Sequence, residues 1–322
     1  MKNDLLRDPV DHSPLTLEAG GLRSASGRLY PAACGGWDLR ADADAPDPGP
    51  AVGGELGDFD YPHSLTLLHQ RGLLERLPLK PGDAVLELGG QRSGVLAWLE
   101  RHRGVHGVGV DIAPGWVALQ NEASQARGGR SIWVIGDAER LPVADSSFRA
   151  IVAFDVFEHL GNLRAGLEEC TRVLQPGGMF VCHMPVSDIR GSYDGYQRWT
   201  DAGAFAARAA SLGHRHERLP SRLQMRTWLE QSGLQVLDTL NFNVWVQPLH
   251  DHHLIPALGR IRHRREKAQR PGLPPTVQVT ASRSQRAYST LALPLARALT
   301  AVDDMGALVG IGASCSYVAR KP

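Results

Sequence analysis

The stretch AVLELGGQRSG, residues 84 to 94, joins a short apolar run to a turn that contains three glycines. An apolar run of this length that ends in glycine is typical of a buried strand followed by a strand-to-helix turn. The next apolar run, Gly107 to Ile112, contains Asp111, 24 positions after Glu87. Glycines let a ligand approach the backbone of such a turn, and a carboxylate at the end of the next strand can accept both hydroxyls of a ribose. The pattern therefore predicts a cofactor that contains a nucleoside.

Further apolar runs recur at intervals of about 20 to 30 residues, which is the period of βα units. They are Ser131 to Ile135, Ala150 to Phe154, Met179 to Met184, Leu234 to Phe242 and, as a closing strand, Cys315 to Arg320. Helical apolar spacing separates several of them, at Tyr61 to Leu79, Leu163 to Leu174 and Leu223 to Ser232. The sequence predicts an α/β protein with a doubly wound, seven-stranded and mostly parallel sheet.

Changes in composition divide the chain into five parts. A small head occupies residues 1–40, and a run rich in Asp, Pro and Gly forms a linker at 41–58. The sheet-forming core takes 59–242, and a closing strand takes 313–322. The 70 residues between them, 243–312, are too many for a hairpin loop, so we expect an insertion with structure of its own. We expect it to act as a substrate lid or an interaction element.

Composition excludes several classes of protein. The 322 residues carry a formal net charge of +1, which gives no global field for holding a polyanion and disfavours nucleic acid as a partner. The four cysteines form no C-x-x-C pair, so neither a disulfide framework nor a zinc knuckle is indicated. The apolar region from Leu291 to Ile311 is interrupted by charges and a proline, so no transmembrane segment is predicted. A cytoplasmic protein is expected, and a homo-oligomer is compatible with these numbers.

A longer motif carries a resemblance to a known family. The stretch GDAERLPVADSSFRAIVAFDVFEHL, Gly136 to Leu160, followed by LQPGG at 174–178, resembles the class I S-adenosylmethionine-dependent methyltransferases that act on small molecules. The resemblance implies that Glu87 serves the amino group of the methionine moiety, Asp111 the ribose and Asp137 the adenine. The whole set of cofactor-binding residues that we infer is Glu87, Gly89, Gly90, Gly94, Asp111, Ile112, Asp137, Ala138 and Asp155.

Electrostatics favours the same cofactor. Ligands bind at the carboxyl ends of the strands in open α/β sheets, and Glu87, Asp111, Asp137 and Asp155 all fall at such ends. S-adenosylmethionine carries a sulfonium and an amino group against one carboxylate, so acidic walls suit it. A phosphate-binding site would instead use lysine or a bare helix N-terminus, so a dinucleotide is disfavoured.

The glycine loop departs from the family pattern. The family reads acidic-x-G-x-G-x-G, whereas here Glu87-Leu-Gly89 is followed by GQRSG, so two expected glycines are absent. Gly90 and Gly94 can take over in a rearranged loop. Arg92 can pair with the cofactor carboxylate or simply face water. The departure also allows a cofactor site that is weakened or lost.

The head carries a second resemblance. Leu5 to Pro31 is similar to small zinc-ribbon domains that read C-P-x-C, then C-x-x-C, then Y-P. Here the metal cysteines are replaced by Asp8, Asp11, Ser24 and Gly27, and a tetrahedral structural zinc is not expected without thiolates. We interpret the head as a metal-free remnant that packs against the core or a partner. Relatives that keep the zinc include a domain on some ribosomal-RNA guanine methyltransferases.

Candidates for a catalytic base lie after the fourth and fifth strands. His159 follows Glu158 as in the family pattern, and His183 closes the fifth strand; each can be a base or a histidine with a structural role. Aromatic and basic side chains in the following loop can line a substrate pocket, as can histidines before the next helix. These are Tyr193, Tyr196, Arg198, Trp199, His214 and His216.

Two motifs lie in the insertion. GRIRHRREKAQR, residues 259–270, has six basic residues against one acidic residue, Glu266. It is typical of a solvated helix face, with phosphate or membrane contact as the alternative. LHDHHL, residues 249–254, offers three histidines and an aspartate. Adjacent residues seldom converge on one ion, so we expect solvated histidines and no metal site.

These observations favour an S-adenosylmethionine-dependent O- or N-methyltransferase of a small-molecule acceptor, such as a secondary metabolite or a sugar. Three alternatives stay open. The zinc-ribbon resemblance suggests an RNA methyltransferase, and the basic run followed by an apolar segment suggests methylation of a lipid or quinone. The altered glycine loop allows a catalytically inactive binding protein with the cofactor fold.

Overall fold

The computed structural model describes residues 3–41, 58–91, 93–211, 218–254 and 286–322. Most of the linker, Arg92, His214, His216 and the basic run at 259–270 lie outside the described residues. Within these ranges, no helix is both long enough and apolar enough to cross a bilayer.

Eleven strands in the described ranges form two sheets. Four belong to the head: β1 Leu15–Glu18, β2 Gly21–Ser24, β3 Leu29–Ala33 and β4 Gly36–Trp37. Seven belong to the core: β5 Ala84–Leu88, β6 His106–Asp111, β7 Ile132–Ile135, β8 Phe148–Phe154, β9 Leu174–Pro185, β10 Gln235–Phe242 and β11 Ser314–Arg320.

The core sheet has the order β7-β6-β5-β8-β9-β11-β10. Strand β5 pairs in parallel with both β6 and β8, so the strand order reverses there and a crevice opens above the carboxyl end of β5. Strand β11 is antiparallel to both of its neighbours, β9 and β10. The expected doubly wound, seven-stranded and mostly parallel sheet is confirmed.

Helices cover both faces of the core sheet. They are α1 Leu65–Glu75, α2 Val95–Arg103, α3 Pro114–Ala126, α4 Leu163–Val173, α5 Tyr193–Thr200, α6 Ala202–Ser211, α7 Arg222–Gln231, α8 Val246–Pro248, α9 Leu293–Leu299 and α10 Ala301–Leu308. Short 3-10 turns lie at Asn3–Leu5 and Phe157–His159, and π-helical turns at Leu249–Leu254 and Tyr288–Ala292. The central strands are buried on both faces, which explains why they read as continuous apolar runs.

The boundaries of two elements differ from the sequence expectation. Helix α1 starts only at Leu65, because Ser64 caps it by accepting a hydrogen bond from the amide of Leu67 at 3.1 Å. The PGG of the LQPGG motif lies inside β9, where the strand begins at Leu174 directly after α4. The motif therefore starts a strand as well as ending a helix.

The head is built onto the core. Leu6, Leu22, Tyr30 and Leu39 are buried in the same apolar cluster as the side chains of the central strands. On burial alone, each leucine of this kind contributes about 1.5 to 3 kcal/mol. The head is thus part of the folded core structure.

Backbone hydrogen bonds also join the head to the edge of the core sheet. Asp38 pairs in parallel with Ile135 at the end of β7. The Asn121 side chain donates to the carbonyls of Cys34 and Trp133, each at 2.9 Å, and accepts from the Trp133 amide at 2.9 Å. These bonds cover backbone groups that an open edge strand would leave available for pairing with another chain.

Candidate active site

Glu87 ends β5 as a carboxylate that caps a helix. It is 2% exposed, accepts a hydrogen bond from the Ser93 hydroxyl, and accepts another from the Leu96 amide at 3.1 Å. Leu96 lies in the first turn of α2, which begins after Gly94. Burial raises the pKa of Glu87 to about 8, against the opposing effect of the two hydrogen bonds. Glu87 therefore holds the turn and α2 in a fixed relation to the sheet.

Asp111 ends the neighbouring strand β6 and binds the same turn. Its Oδ2 accepts a hydrogen bond from the Gln91 amide at 3.1 Å, and its Oδ1 accepts one from the Ala113 amide at 2.8 Å. Burial raises its pKa above the ordinary value. A carboxylate has about four lone-pair positions, so it can still accept hydrogen bonds from a ligand. Ile112 beside it is 43% exposed and offers an apolar surface next to this carboxylate.

Glycine is needed at two positions of the turn for different physical reasons. Gly89 has φ +63°, a left-handed conformation that favours glycine, and a Cβ there would lie 2.5 Å from Val156. A Cβ at Gly90 would lie 1.9 Å from the ring of Trp133, which packs beneath the turn. Gly90 is thus required by packing against Trp133, whatever its part in cofactor binding.

Gln120 fixes the carbonyl side of the turn. Its side-chain amide donates to the carbonyls of Gly90, Gln91 and Ser93 at 3.3, 3.1 and 2.9 Å. Gln120 is buried on α3. The rearranged turn is thus fixed by side chains from two neighbouring elements, although it lacks two of the family's glycines.

Asp137 and Ala138 follow β7 on the far side of β6. Asp137 Oδ1 accepts a hydrogen bond from the Glu139 amide at 2.8 Å, and burial raises the pKa of Asp137. Glu139 in turn accepts from the amides of Gly161 and Asn162 at 2.7 and 2.9 Å. The segment after β7 is therefore tied to the segment after β8.

Asp155 directly follows β8 and has φ +56°, which a residue with a side chain seldom adopts. Its amide donates to the carbonyl of His183 at 2.8 Å, and the Gln70 side chain reaches its Oδ2 at 3.5 Å. Glu158 is buried nearby, where burial and then the charge of Asp155 raise its pKa. The end of β8 thus presents a carboxylate in a backbone conformation held from the neighbouring strand.

A cavity of about 310 Å³ lies at this edge of the sheet. Both candidate bases line it, together with Asp155 and Gln91 of the glycine turn. His159 is exposed on the 3-10 turn after β8, whereas His183 is 2% exposed in β9. The structure therefore brings the two predicted histidines and one predicted carboxylate to one cavity.

The far wall of the cavity comes from the segment after β9. Asp194 of α5 and Arg208 of α6 form an ion pair at 2.5 Å, and Phe205 adds an apolar side chain. The expected pocket aromatics of this segment are placed differently. Tyr193, Tyr196, Arg198 and Trp199 lie on helix α5 and not in a loop, and they are not among the residues that line this cavity; Trp199 is 83% exposed.

His183 belongs to a hydrogen-bond chain that the sequence did not indicate. Its Nδ1 lies 2.8 Å from the hydroxyl of Ser316 on β11, and the same hydroxyl lies 2.8 Å from Nε2 of His69 on α1. Burial lowers the pKa of His183 to about 4. Burial, and then the charge of His183, lowers the pKa of His69 to about 3. Both imidazoles are therefore neutral near pH 7.

One histidine of the LHDHHL motif corrects our expectation of solvated side chains, whereas His253 is exposed as expected. His250 is 5% exposed, and its Nδ1 lies 2.5 Å from Asp251 while its Nε2 bonds to the hydroxyl of Tyr288. Asp251 also accepts hydrogen bonds from the amides of Leu65 and Thr66 at 3.0 and 2.8 Å. The side chains of His250 and Asp251 are thus 5% and 7% exposed, and Asp251 caps the N-terminus of α1. In the described part of the chain, no group of three or more His, Cys, Asp or Glu side chains could hold a metal ion.

The head positions that correspond to zinc ligands form a polar cluster. Asp8 is fully buried and accepts a hydrogen bond from the Val10 amide at 2.7 Å. Burial alone would raise its pKa, but hydrogen bonds from Val10, Ser24 and Tyr30 lower it below the ordinary value. Arg28 lies 3.5 Å away. Hydrogen bonds and one cation thus hold these loops of the head together.

The donor set fits S-adenosylmethionine. Three carboxylates, Glu87, Asp111 and Asp155, end adjacent strands β5, β6 and β8 at one edge, and burial disfavours the charged form of the first two. A cationic ligand would offset this cost by favouring the ionised carboxylates. Glu87 is already engaged by Ser93 and Leu96, so its part is to hold the turn.

Comparison with known proteins agrees with this geometry. Residues 86–182 match a family model described as "Methyltransferase domain". The chain is 34% identical over 104 residues to a demethylmenaquinone methyltransferase of Corynebacterium glutamicum, which is 32% of this chain and 42% of that protein. It is 27% identical over 197 residues to a ubiquinone/menaquinone biosynthesis C-methyltransferase of Caulobacter vibrioides, which is 54% of this chain and 77% of that protein. The chain thus spans less than half the length of the first of these relatives.

A solved structure shares the fold. Phosphoethanolamine N-methyltransferase 2 of Haemonchus contortus, in complex with S-adenosyl-L-methionine, superposes with a TM-score of 0.53 at 18% identity. The match covers 79% of this chain and 52% of that one. At this identity the likeness concerns the fold.

Proposed function

We propose, from the premise that residues 86–182 belong to the class I S-adenosylmethionine-dependent methyltransferases, that this chain methylates a small-molecule acceptor. The observation that supports this most is the cavity where Asp155, His159 and His183 meet beside the glycine turn. S-adenosylmethionine, when bound, supplies an electrophilic methyl group. The residues of the chain then have to hold the acceptor in line and receive its proton.

The cofactor-binding residues follow from the sequence and agree with their places in the fold. Asp111 would hold the ribose, Asp137 and the Ala138 amide would meet the adenine, and Ile112 would lie against its ring. Gly89 and Gly94 shape the turn that the methionine moiety approaches. These assignments rest on the family resemblance together with the position of each residue at the carboxyl edge of the sheet.

The walls of the cavity indicate the kind of acceptor. A volume of about 310 Å³ is at the small end of ligand pockets. Val186, Ile189, Phe205 and Leu219 make part of the wall apolar, while the ion pair between Arg208 and Asp194 makes another part polar. We therefore infer a compact, partly apolar acceptor with a polar group, methylated on oxygen or nitrogen.

Methylation on carbon is a second candidate. The Caulobacter relative, 77% of whose length is matched, is named a C-methyltransferase. A ring carbon activated by a neighbouring hydroxyl would require the same removal of a proton, so the histidines of the cavity serve both reactions. Analysis of the product therefore distinguishes methylation on carbon from methylation on oxygen or nitrogen.

Calorimetric titration of the full chain with S-adenosylmethionine tests the first step. We expect saturable binding that Asp111→Ala weakens. Incubation with methyl-labelled cofactor and a panel of small hydroxylated and aminated compounds, read by mass spectrometry and NMR, then identifies the product and the atom methylated. A chain that binds no S-adenosylmethionine would instead support the alternative of a binding protein that keeps only the cofactor fold.

A further inference from the structure

The hydroxyl of Ser316 lies between two buried histidines. It is 2.8 Å from Nδ1 of His183 and 2.8 Å from Nε2 of His69. Ser316 is fully buried, and the register of β9 and β11 places it directly opposite His183. The ring of Phe242 stacks on His69 at 4.2 Å and meets His183 edge-on at 5.6 Å between centroids. Strand pairing and aromatic packing therefore hold this three-residue chain in place.

The two histidines at the ends of this hydrogen-bond chain line different cavities. His183 lines the active-site cavity. His69 lines a second cavity of about 640 Å³ between α1, β10 and the helices α9 and α10, whose wall includes Arg76, Arg297 and Asp304. The Ser316 hydroxyl thus connects the two cavities through the sheet and the helix that separate them.

We propose that Ser316 and His69 are positioning residues that set which ring nitrogen of His183 carries its proton, and that they pass that proton from the active-site cavity to the second cavity. The proposal rests on the proposed function, because it concerns the proton that a methyl acceptor loses. It assigns a role to two residues that lie outside the cofactor site.

The reason lies in the single proton of a serine hydroxyl. Ser316 can donate to one histidine only, and it then accepts from the other, so the tautomers of the two imidazoles are coupled. When Ser316 donates to His69, His183 must donate from Nδ1, and its Nε2 is then unprotonated. Only in this arrangement is His183 a base toward the active-site cavity.

The proton balance follows from the same arrangement. The acceptor X–H gives its proton to Nε2 of His183 as the bond from X to the methyl carbon forms and the bond from that carbon to sulfur breaks. His183 passes its Nδ1 proton to Ser316, Ser316 passes its own to Nε2 of His69, and His69 releases its Nδ1 proton toward the second cavity. One proton is thus moved, and the hydrogen bonds are left in the reverse order until the hydroxyl and the tautomers reset.

The surroundings suit a chain of neutral rings. Both histidines have lowered pKa values, mainly through burial, and Arg76 and Arg297 also lower the pKa of His69, while Asp304 raises it. Because neither ring holds an extra proton at rest, each can receive one during transfer. The same two arginines favour release of the proton from His69 once it has arrived.

NMR of the full chain labelled with ¹⁵N-histidine tests the proposal, because ring nitrogen shifts report tautomer and protonation directly. The His69 and His183 signals are assigned with His69→Gln and His183→Gln. We expect Ser316→Ala to shift the ring signals of both histidines, and Ser316→Thr, which keeps the hydroxyl, to restore the parental pattern. Thr239→Val is the matched control, because it removes a hydroxyl that lines the second cavity on β10 without touching either hydrogen bond.

If Ser316→Ala leaves both histidines with parental signals, the coupling is absent and the proposal is wrong. Should Ser316→Ala fail to fold, His69→Gln decides the matter. If the hydrogen-bond chain exists, removing the His69 ring from Ser316 must change the signals of His183. Calorimetry with S-adenosylmethionine is run on the same samples. Absence of S-adenosylmethionine binding in the parent protein would contradict the proposed function. Unchanged histidine signals in Ser316→Ala would contradict the coupling.

Discussion

The amide of Leu39 donates a hydrogen bond of 2.8 Å to the carbonyl of Ile135. A residue of the head thus binds the core backbone at Ile135, two positions before Asp137. On the other side of Asp137, Leu6 of the head pairs with Val143. The head therefore holds both ends of the segment that carries the proposed adenine contacts. This relationship links the head to the geometry of the proposed cofactor site.

Shortening a buried leucine of the head should weaken both the fold and the cofactor site. Leu39→Ala removes a fully buried side chain, so we expect a loss of about 2 to 5 kcal/mol in the free energy of unfolding. Urea unfolding measures it, and calorimetry should show weaker binding of S-adenosylmethionine. Leu17→Ala, at a side chain 62% exposed on β1, is the control and should change neither quantity. Parental binding by a folded Leu39→Ala protein would show that the head does not position Asp137.

Asp111→Ala should cost affinity for S-adenosylmethionine. Loss of a charged hydrogen-bond acceptor is worth about 1.5 to 3 kcal/mol, which corresponds to a tenfold or greater rise in Kd. Asp238→Ala, in the middle of β10 and paired with Arg76 at 2.6 Å, is the control and should bind as the parent does. Equal affinity in parent and Asp111→Ala would remove Asp111 from the site.

Stability should fall with rising pH because of Glu87. Its pKa is raised by burial to about 8 in the folded protein, above its value near 4.5 in the unfolded chain. The folded state therefore binds more protons, and the stability that this gives is present below pH 4.5 and is lost as the pH rises toward 8. Urea unfolding at pH 5, 6, 7 and 8 measures the slope, and Glu87→Gln should flatten it. A slope that is the same in both proteins would show that Glu87 keeps an ordinary pKa.

Replacement of the catalytic base should lower the rate of methyl transfer by about 10²- to 10⁴-fold with cofactor affinity kept. His159→Ala and His183→Ala are compared with an acceptor that the parent methylates. The pKa of His183 is lowered to about 4 by burial, so a rate that depends on neutral His183 should persist as the pH falls from 8 to 6. If both single variants keep near-normal rates, catalysis depends mainly on proximity and orientation.

The head should contain no zinc. Asp8 and Ser24 are in hydrogen-bond contact, and Arg28 lies 3.5 Å from the Asp8 carboxylate, where its positive charge opposes a bound cation. Elemental analysis of protein purified without chelators is expected to show no stoichiometric zinc. One zinc per chain, retained by a fragment within residues 1–40, would contradict the assignment.

The sequence predicted the core sheet well because buried parallel strands are continuous apolar runs. All seven core strands lie where the runs are, and Glu87, Asp111 and Asp155 end strands as expected. The head strands were not assigned individually, since β1 is mostly exposed and β4 has only two residues. Short, half-exposed strands carry little periodic signal.

The walls of the cavity were harder to predict. Arg208 and Asp194 meet because α5 and α6 pack together, and Ser316 meets His69 across 247 positions of sequence. Neither pair forms a local motif. Gln120, which holds the glycine turn, could have been suspected only as a polar residue on the apolar face of a predicted helix.

Strand β11 is paired between β9 and β10 although it follows both in sequence. Closing the sheet therefore brings together residues about 130 positions apart, with a loop-closure entropy that local pairing does not carry. During synthesis, β5 to β9 can associate while β9 still lacks its partner on one side, and Ser316 has not yet reached His183. The contact between Ser316 and His183 can thus form only after translation has passed residue 316, later than most of the secondary structure of the nascent chain.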